Sequence, residues 1–216
     1  MKQLTLFFLF LTSLYATNIS DYINKQNCDQ IVDKQIYTVC YDYKMKSALF
    51  VAYTIDGNLV NKENIKKRPG FYTEKNLKKK YRVTNKDYKG SGYDKGHLAF
   101  HSAFDYDKKI LSKTYSLVNI VAMSPQVNRH HWKKAERLSK QIAPKLGYVN
   151  VIDGVIYNSN PKRIGSNKIA VPSGYWKMLY NDDKNYKKCF YFKNDLNAVS
   201  KGDKLKSHLI DCGELY

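Results

Sequence analysis

The chain has 216 residues, of which 37 are Lys or Arg and 19 are Asp or Glu, so its formal net charge at pH 7 is +18. This length is typical of one domain with a substantial core, and the sequence has no internal repeat, low-complexity tract or long linker that would indicate a repeat or multidomain protein. A positive surplus of this size favours a polyanionic partner such as nucleic acid, anionic lipid or a cell-wall polymer, or else a basic surface kept for solubility, and by itself it specifies no chemistry.

The first sixteen residues, MKQLTLFFLFLTSLYA, are typical of a secretory signal peptide, with one Lys, an apolar run and then a small residue. The apolar run is too short to span a bilayer as a stable helix. Cleavage after Ala16 leaves a single domain over residues 17–216. Leu14 is larger than the usual residue at its position, so an uncleaved anchor stays open. We expect a periplasmic or secreted protein with no stable membrane association after cleavage.

All four cysteines lie in the exported part of the chain, where an oxidising compartment favours disulfides. Four cysteines allow three pairings, and the sequence alone does not choose among them. We favour local pairs, Cys28 with Cys40 and Cys189 with Cys212, because each pair flanks a short loop near a terminus that would otherwise fray. No CxxC spacing occurs, which argues against a cysteine zinc site.

In chain order, the first strong pattern is an apolar run over residues 48–57, which predicts a buried strand ending at an Asp56-Gly57 hairpin turn. Residues 66–97 are basic and rich in loop-forming residues. Apolar residues at Trp132, Ala135, Leu138 and Ile142 then mark one face of an amphipathic helix over 128–146, which should stop near Pro144 or Gly147.

The last third of the chain is strand-rich. Residues 148–157 alternate around a second Asp-Gly turn, and residues 169–180 are strand-like but interrupted by Pro172. Residues 181–195 predict a turn followed by a short strand. Strands that flank one long helix favour an α+β fold, with a central antiparallel sheet and helices, over alternating βαβ units.

The stretch YDKGHLAFH, residues 93–101, concentrates charged and imidazole side chains. It contains Asp94-Lys95-Gly96-His97, which is followed 31 residues after His97 by Asn128 and eight residues later by Glu136. This pattern resembles the DNA/RNA non-specific endonucleases, whose ββα-metal site carries Asp-Arg-Gly-His, then Asn, then Glu eight residues on. Further matches cover residues 48–195 and include Asn119, Pro125-Gln126 and the segment VPSGYWK, residues 171–177.

The resemblance implies a divalent metal site on Asn128 and Glu136. A neutral amide oxygen suits Mg²⁺, which keeps most of its waters and leaves room for substrate phosphate oxygens, and Mn²⁺ should substitute in so open a site. Glu136 lies about 12 Å along a helix axis from Asn128 if both residues are helical, too far for both to bind one ion directly. Asn128 is therefore expected as the direct ligand, with Glu136 holding the ion through water.

The same resemblance makes His97 the general base, since a neutral imidazole can accept a proton from water near physiological pH. Asp94 is expected to organise the site. Lys95 replaces the family's Arg, so it keeps the positive charge but lacks the planar two-pronged donor of a guanidinium. Arg68, 29 residues before His97, is the expected cation on the scissile phosphate. The other expected substrate contacts are Lys95, Arg82 and Arg129. Arg82 is also the alternative to Arg68 as the cation on the phosphate.

Two other interpretations compete with this one. The first is a zinc site built from the histidines 97, 101, 130 and 131, although no Glu follows His97 as a zincin requires. The second is a non-catalytic nucleic-acid-binding protein, which would explain the charge equally well but would not need the set of His97, Asn128 and Glu136. We expect an exported, Mg²⁺-dependent endonuclease that hydrolyses DNA and RNA without sequence specificity, as a monomer or homodimer.

Overall fold

The computed structural model describes residues 27–215. The expected signal peptide, residues 1–16, lies outside this range and stays a prediction. Across residues 27–215, no helix is both long enough and apolar enough to cross a membrane.

A seven-stranded sheet forms the centre of the molecule, with the strand order β1-β2-β3-β6-β9-β10-β11 and every neighbouring pair antiparallel. Two further pairs, β4 with β5 and β7 with β8, are also antiparallel. The α+β prediction is therefore confirmed. The strands are β1 (Gln30–Asp33), β2 (Thr38–Asp42), β3 (Ser47–Asp56), β4 (Asp94–His97), β5 (Ile120–Met123), β6 (Tyr148–Ile156), β7 (Arg163–Ile164), β8 (Ile169–Ala170), β9 (Gly174–Asn181), β10 (Tyr186–Lys193) and β11 (Leu209–Ile210).

Both predicted Asp-Gly turns have a different role in the structure. After β3, Gly57 leads into a loop rather than a hairpin, and a Cβ added there would lie 2.4 Å from the carbonyl oxygen of Ala143. Gly154 lies inside the continuous strand β6, where an added Cβ would lie 1.8 Å from the Trp176 indole. These glycines permit close approach of neighbouring groups, a role that a local turn pattern does not distinguish.

The predicted disulfides are confirmed. Cys28 bonds to Cys40 on β2, and Cys189 on β10 bonds to Cys212. Both bridges pack with Trp176 on one face of the central sheet. They therefore fasten the two ends of the described chain to that face.

A long helix, residues 125–146, covers the opposite face of the sheet and packs on β3, β6 and β9. It comprises a π-helical segment, Val127–Trp132, and the α-helix Lys133–Leu146, and it ends at Gly147, whose φ is +85°. Trp132 and Ala135 are fully buried, as the apolar periodicity predicts. A second α-helix within residues 27–215, Lys108–Lys113, is short and begins at the capping carboxylate of Asp107.

The strands β4 and β5 and the long helix form a ββα unit. Register pairs Asp94 with Met123 and His97 with Ile120, and β5 runs through Ser124 directly into the long helix. Gly96 is required in β4 because an added Cβ would lie 2.7 Å from the Cβ of Met123. This unit brings the two motifs that the sequence separates by 31 residues onto adjacent elements.

Candidate active site

His97 ends β4 inside a cluster of rings. Its ring centroid lies 5.0 Å from that of Tyr115, 5.2 Å from that of His101 and 5.4 Å from that of Phe71. The Nε2 atom is buried and has no hydrogen-bond partner. A buried polar atom without a partner costs free energy, so this nitrogen is available for a group that the protein itself does not supply.

The protonation state of His97 is set by its surroundings. Burial, together with the nearby His101 and Arg68, lowers the pKa of His97 from 6.5 to about 3. His101 is affected in the same way, since burial and the cations Arg68, Lys133 and Lys140 lower its pKa to about 4. Both imidazoles are therefore neutral at physiological pH, and His97 keeps the lone pair that a general base needs.

The backbone around His97 is fixed from two sides. The indole N–H of Trp132 donates to the carbonyl oxygen of His97 at 3.2 Å, which ties β4 to the long helix. The buried side chain of Asn119 accepts from the N–H of Ala99 at 2.8 Å and donates to the Ala99 carbonyl at 2.9 Å. The position of the imidazole is therefore determined by packing and by buried hydrogen bonds.

Asp94 connects β4 to the start of the long helix. Its carboxylate accepts two hydrogen bonds of 2.8 Å from Arg129 and one of 3.0 Å from the side-chain amide of Asn128. Burial alone would raise the pKa of Asp94, but the hydrogen bonds from Arg129 and Asn128 outweigh it and the pKa is lowered. Asp94 is therefore an anion that orients Asn128, which fits the expected organising role.

The donor set fits a hard divalent cation. Because the Asn128 amide nitrogen donates to Asp94, its oxygen is directed away from that carboxylate and can act as a neutral ligand. Eight residues of pure α-helix would turn Glu136 about 80° past Asn128, at 3.6 residues per turn. The π-helical segment has more residues per turn than an α-helix, so it reduces the rotation between the Asn128 and Glu136 side chains. This local geometry was not predicted from the sequence.

Glu136 is the acidic group of the helix at the site. Burial raises the pKa of Glu136 to about 7, with Lys177 opposing the shift and Asp153 adding to it. A carboxyl group with a pKa near neutral pH loses its proton when a cation approaches, because the positive charge favours the carboxylate. The side chain therefore suits the outer-shell metal role that its spacing predicts.

A buried ion pair lies behind Glu136. Lys177, on β9, donates to both oxygens of Asp153 at 2.5 and 2.6 Å, and both side chains are fully buried. Tyr53 donates to the same carboxylate at 2.9 Å, and the Lys177 ammonium lies 4.3 Å from the Trp132 ring centroid. The segment VPSGYWK therefore contributes a charged residue to the support of the site.

The two arginine candidates have different environments. The side chain of Arg68 is 35% exposed, with Nη1 3.5 Å from the buried Asp105 carboxylate, and its charge acts on both His97 and His101. Arg82 instead donates to the carbonyl oxygens of Leu77 and Lys75 at 2.7 and 2.6 Å. Arg82 thus fastens its own loop, whereas Arg68 lies within electrostatic reach of His97.

The other two expected substrate contacts already have partners. Arg129 uses both prongs of its guanidinium on Asp94, although 64% of its side chain is exposed. The Lys95 ammonium lies 4.7 Å from the Phe71 ring centroid and donates to Asn85 at 3.2 Å. A cavity of about 420 Å³ opens beside Asp94 and Lys95 and is also lined by Lys89, Tyr88, Tyr93 and Asn85.

The alternative zinc site of four histidines does not assemble. The rings of His97 and His101 are adjacent, but His130 is exposed. His131 points to the C-terminal segment, where Nε2 lies 3.1 Å from the carbonyl oxygen of Val199. His130 and His131 lie in the π-helical segment, which has more residues per turn than an α-helix. The spacing of a regular α-helix therefore does not predict the directions of these two side chains.

Several residues of the site carried no sequence signal. Tyr115 and Phe71 contact His97 from loops distant in sequence. Asp105, which positions Arg68 and also lies 3.6 Å from Lys140, follows an apolar loop without a motif. In the sequence Asp105 is a single acidic residue, and nothing there shows that it is buried or that it contacts Arg68.

Comparisons with known proteins place the chain in a family. Residues 15–214 match the family described as DNA/RNA non-specific endonuclease. Human mitochondrial Endonuclease G is 26% identical over 160 residues, covering 69% of this chain and 54% of that protein, and the Caenorhabditis elegans Endonuclease G is 30% identical over 158 residues, covering 66% and 50%. A nuclease of Nostoc is 24% identical over 147 residues, covering 68% and 52%.

The chain thus spans about half the length of these curated relatives. Among solved structures, a chain from the crystal structure of the EndoG/EndoGI complex superposes with a TM-score of 0.79 at 20% identity, covering 88% of this chain and 83% of that one, which shows a shared fold. The family match extends over almost the whole described chain and includes the ββα unit with His97, Asn128 and Glu136. The protein belongs to the DNA/RNA non-specific endonuclease family.

Proposed function

We propose that this protein is an exported, Mg²⁺-dependent endonuclease that hydrolyses phosphodiester bonds of DNA and RNA without sequence specificity. The observation that carries the proposal is the buried, unpartnered Nε2 of His97 next to a helix whose Asn128 is oriented by Asp94. A nucleic-acid-binding protein would not need a neutral, desolvated imidazole at this position. The family to which the chain belongs supports the same chemistry.

His97 accepts the proton of the attacking water at Nε2. With a pKa of about 3 the free imidazole is a weak base. The approach of an anionic phosphate raises the pKa of His97, because a nearby negative charge favours the imidazolium. The base therefore becomes stronger only when substrate is in place.

The cationic side chains bind and neutralise the phosphate. Arg68 is held near His97 by Asp105, and part of its guanidinium is exposed. Lys89 and Lys95 line the adjacent cavity and suit contacts to the backbone of the substrate, which carry no sequence information. Asn128 and Glu136 are the residues that would hold a Mg²⁺ ion, with Mn²⁺ as a substitute. A divalent ion held there would supply Lewis-acid stabilisation of the leaving 3′ oxygen.

Periplasmic or extracellular action is part of the proposal. Two disulfides are typical of proteins that work outside the reducing cytosol. The apolar N-terminal segment of the sequence supports export in the same way. Products with 5′ phosphates and 3′ hydroxyls follow from the resemblance to the family.

The test is nicking of supercoiled plasmid and of a structured RNA by purified mature protein, with Mg²⁺ and with EDTA. We expect His97→Ala to abolish cutting while DNA binding persists, and EDTA to abolish cutting by the unmodified protein. His130→Ala is the matched control, since it removes an exposed imidazole from the long helix and should leave cutting unchanged. Intact plasmid in every reaction, with DNA still bound, would overturn the proposal in favour of a non-catalytic binding protein.

A further inference from the structure

A second cluster of metal-binding side chains lies outside the candidate active site. One ring nitrogen each of His131 and His208 and a carboxylate oxygen of Asp203 all lie within 4.8 Å of one another. His131 belongs to the π-helical segment, and the other two come from the C-terminal segment, residues 194–215. The cluster therefore joins the long helix to a part of the chain that has little regular structure.

The two ring nitrogens of His208 both lie close to oxygen atoms, and the contact with Asp203 requires a proton or another positive charge. Its Nδ1 lies 3.1 Å from the carbonyl oxygen of Tyr191, and because a carbonyl only accepts, Nδ1 carries the proton. Nε2 then has the lone pair, yet it lies 2.7 Å from Oδ1 of Asp203. Two acceptors at this distance repel each other unless a proton or a metal ion lies between them or close to both.

His131 completes the set by the same reasoning. Its Nε2 lies 3.1 Å from the carbonyl oxygen of Val199 and must donate to it, so Nδ1 is the ring nitrogen with a free lone pair. The imidazole is buried, and its ring centroid lies 5.4 Å from that of His208. Each histidine thus donates one ring N–H to a backbone carbonyl, the arrangement that fixes the orientation of metal-bound histidines.

The cluster is largely shielded from solvent, and its carboxylate has one oxygen directed to each side. The side chains of Asp203 and His208 are only 11% and 16% exposed, and the His208 ring stacks on Phe192 at 4.5 Å. Lys134 pairs with Oδ2 of Asp203 and donates to its carbonyl oxygen at 2.7 Å, which leaves Oδ1 for the cluster. Two imidazoles and one carboxylate are a ligand set that suits Zn²⁺.

We propose that His131, Asp203 and His208 bind a Zn²⁺ ion that fastens the C-terminal segment to the long helix. Bonds of about 2.0–2.2 Å place the ligand atoms of a tetrahedral ion roughly 3.4 Å apart. On Zn²⁺ binding, any pair as wide as 4.8 Å therefore closes, and the His208–Asp203 pair at 2.7 Å opens. The three protein ligands leave one zinc position for water, and the ion is separate from the proposed Mg²⁺ site. It acts together with the Cys189–Cys212 disulfide, which secures the end of the same segment.

The experiment titrates ZnCl₂ into chelator-treated, oxidised mature protein in excess Mg²⁺, with calorimetry and thermal unfolding as readouts. We expect one Zn²⁺ per chain and a rise in Tm of roughly 5–10 °C at a hundredfold excess over Kd. His208→Gln and His131→Gln should each weaken Zn²⁺ binding at least about a hundredfold, as the loss of one of three ligands implies. His97→Ala and His130→Gln are the matched controls and should keep both the stoichiometry and the Tm rise.

Two results would overturn the zinc site. One is Zn²⁺ binding that survives in both ligand variants or disappears in His97→Ala, since the ion would then lie elsewhere. The other is a His208 imidazolium at neutral pH whose ring-nitrogen NMR signals do not move on addition of Zn²⁺. That pattern would mean that a proton alone supplies the positive charge, and it is measured on the unmodified protein, so it does not depend on the folding of any variant.

Discussion

At the scale of single residues, the candidate site depends on charged and imidazole side chains whose behaviour is set by burial. His97 and Glu136 are both shifted towards their neutral forms, whereas Asp94 is held ionised by Arg129 and Asn128. Such opposite shifts within one site are typical of groups with different tasks in acid–base and metal chemistry. They also make specific predictions about stability and metal binding.

Asp94→Asn should raise the Mg²⁺ concentration that nicking requires, with a smaller effect on the stability of the fold. The amide keeps the shape of the carboxylate but accepts poorly from both Arg129 and Asn128, so Asn128 loses its fixed orientation. We expect the Mg²⁺ concentration for half-maximal nicking to rise about 10–100-fold, the usual effect of losing a residue that orients a metal ligand. Asp182→Asn, at an exposed turn, is the control. An unchanged Mg²⁺ requirement would contradict a role through Asn128.

Glu136→Gln should stabilise the metal-free protein at alkaline pH while reducing activity. The pKa of Glu136 is raised from 4.5 to about 7, so the folded state binds this proton more tightly than the unfolded state. The resulting stability is fully present below pH 4.5 and is lost as the pH rises through 7. At pH 8.5 in EDTA, we expect the variant to gain about 1–3 kcal/mol in free energy of unfolding over the unmodified protein.

Urea unfolding at pH 5 and at pH 8.5 measures this difference directly. The two proteins should be nearly equal in stability at the lower pH and diverge at the higher one. A variant that is equally destabilised at both pH values would show that Glu136 makes a structural contact instead of carrying a burial cost.

At the scale of elements, tertiary packing explains two features that the sequence patterns did not predict, a glycine inside β6 and the π-helical segment. Gly154 lies within β6 because the Trp176 indole occupies the space where a side chain would be. The π-helical segment likewise departs from the regular helix that apolar periodicity predicts, and it carries Asn128 on one side of the helix and His131 on another. Both features depend on what packs against the element.

Gly154→Ala should therefore be strongly destabilising. The new methyl group would overlap the Trp176 ring, and relieving it requires moving a large side chain on the neighbouring strand β9. We expect a loss of about 2 kcal/mol or more in free energy of unfolding, as for overpacked cores. Gly70→Ala is the matched control, since nothing lies within 4 Å of its added Cβ. Equal stabilities of the two variants, measured in urea, would contradict the packing argument.

At the scale of the whole molecule, the basic charge and the location of the site act together. A net charge of +18 attracts polyanions from solution, and lysines near the candidate site can bind phosphates without reading bases. This arrangement favours broad substrate use over sequence recognition. It also makes the affinity sensitive to ionic strength.

Binding of duplex DNA by the His97→Ala variant should weaken at least about a hundredfold between 50 and 200 mM NaCl, because each phosphate contact releases counterions. Fluorescence anisotropy with two duplexes of unrelated sequence measures the affinity, and both should show the same slope against salt. A shallow slope, or slopes that differ between the duplexes, would indicate base contacts in place of backbone contacts.

The sequence by itself determined the fold class and most of the helix over residues 128–146, because apolar periodicity is a local property of the chain. It favoured the local disulfide pairs without excluding the others, and its motif spacing predicted the set of His97, Asn128 and Glu136. Only the tertiary structure decided which rings surround His97, that Arg82 binds its own loop while Arg68 lies near His97, and that His131 faces the C-terminal segment. Contacts between distant segments depend on packing in three dimensions. Burial, which sets the pKa values of His97 and Glu136, exists only once the chain is folded.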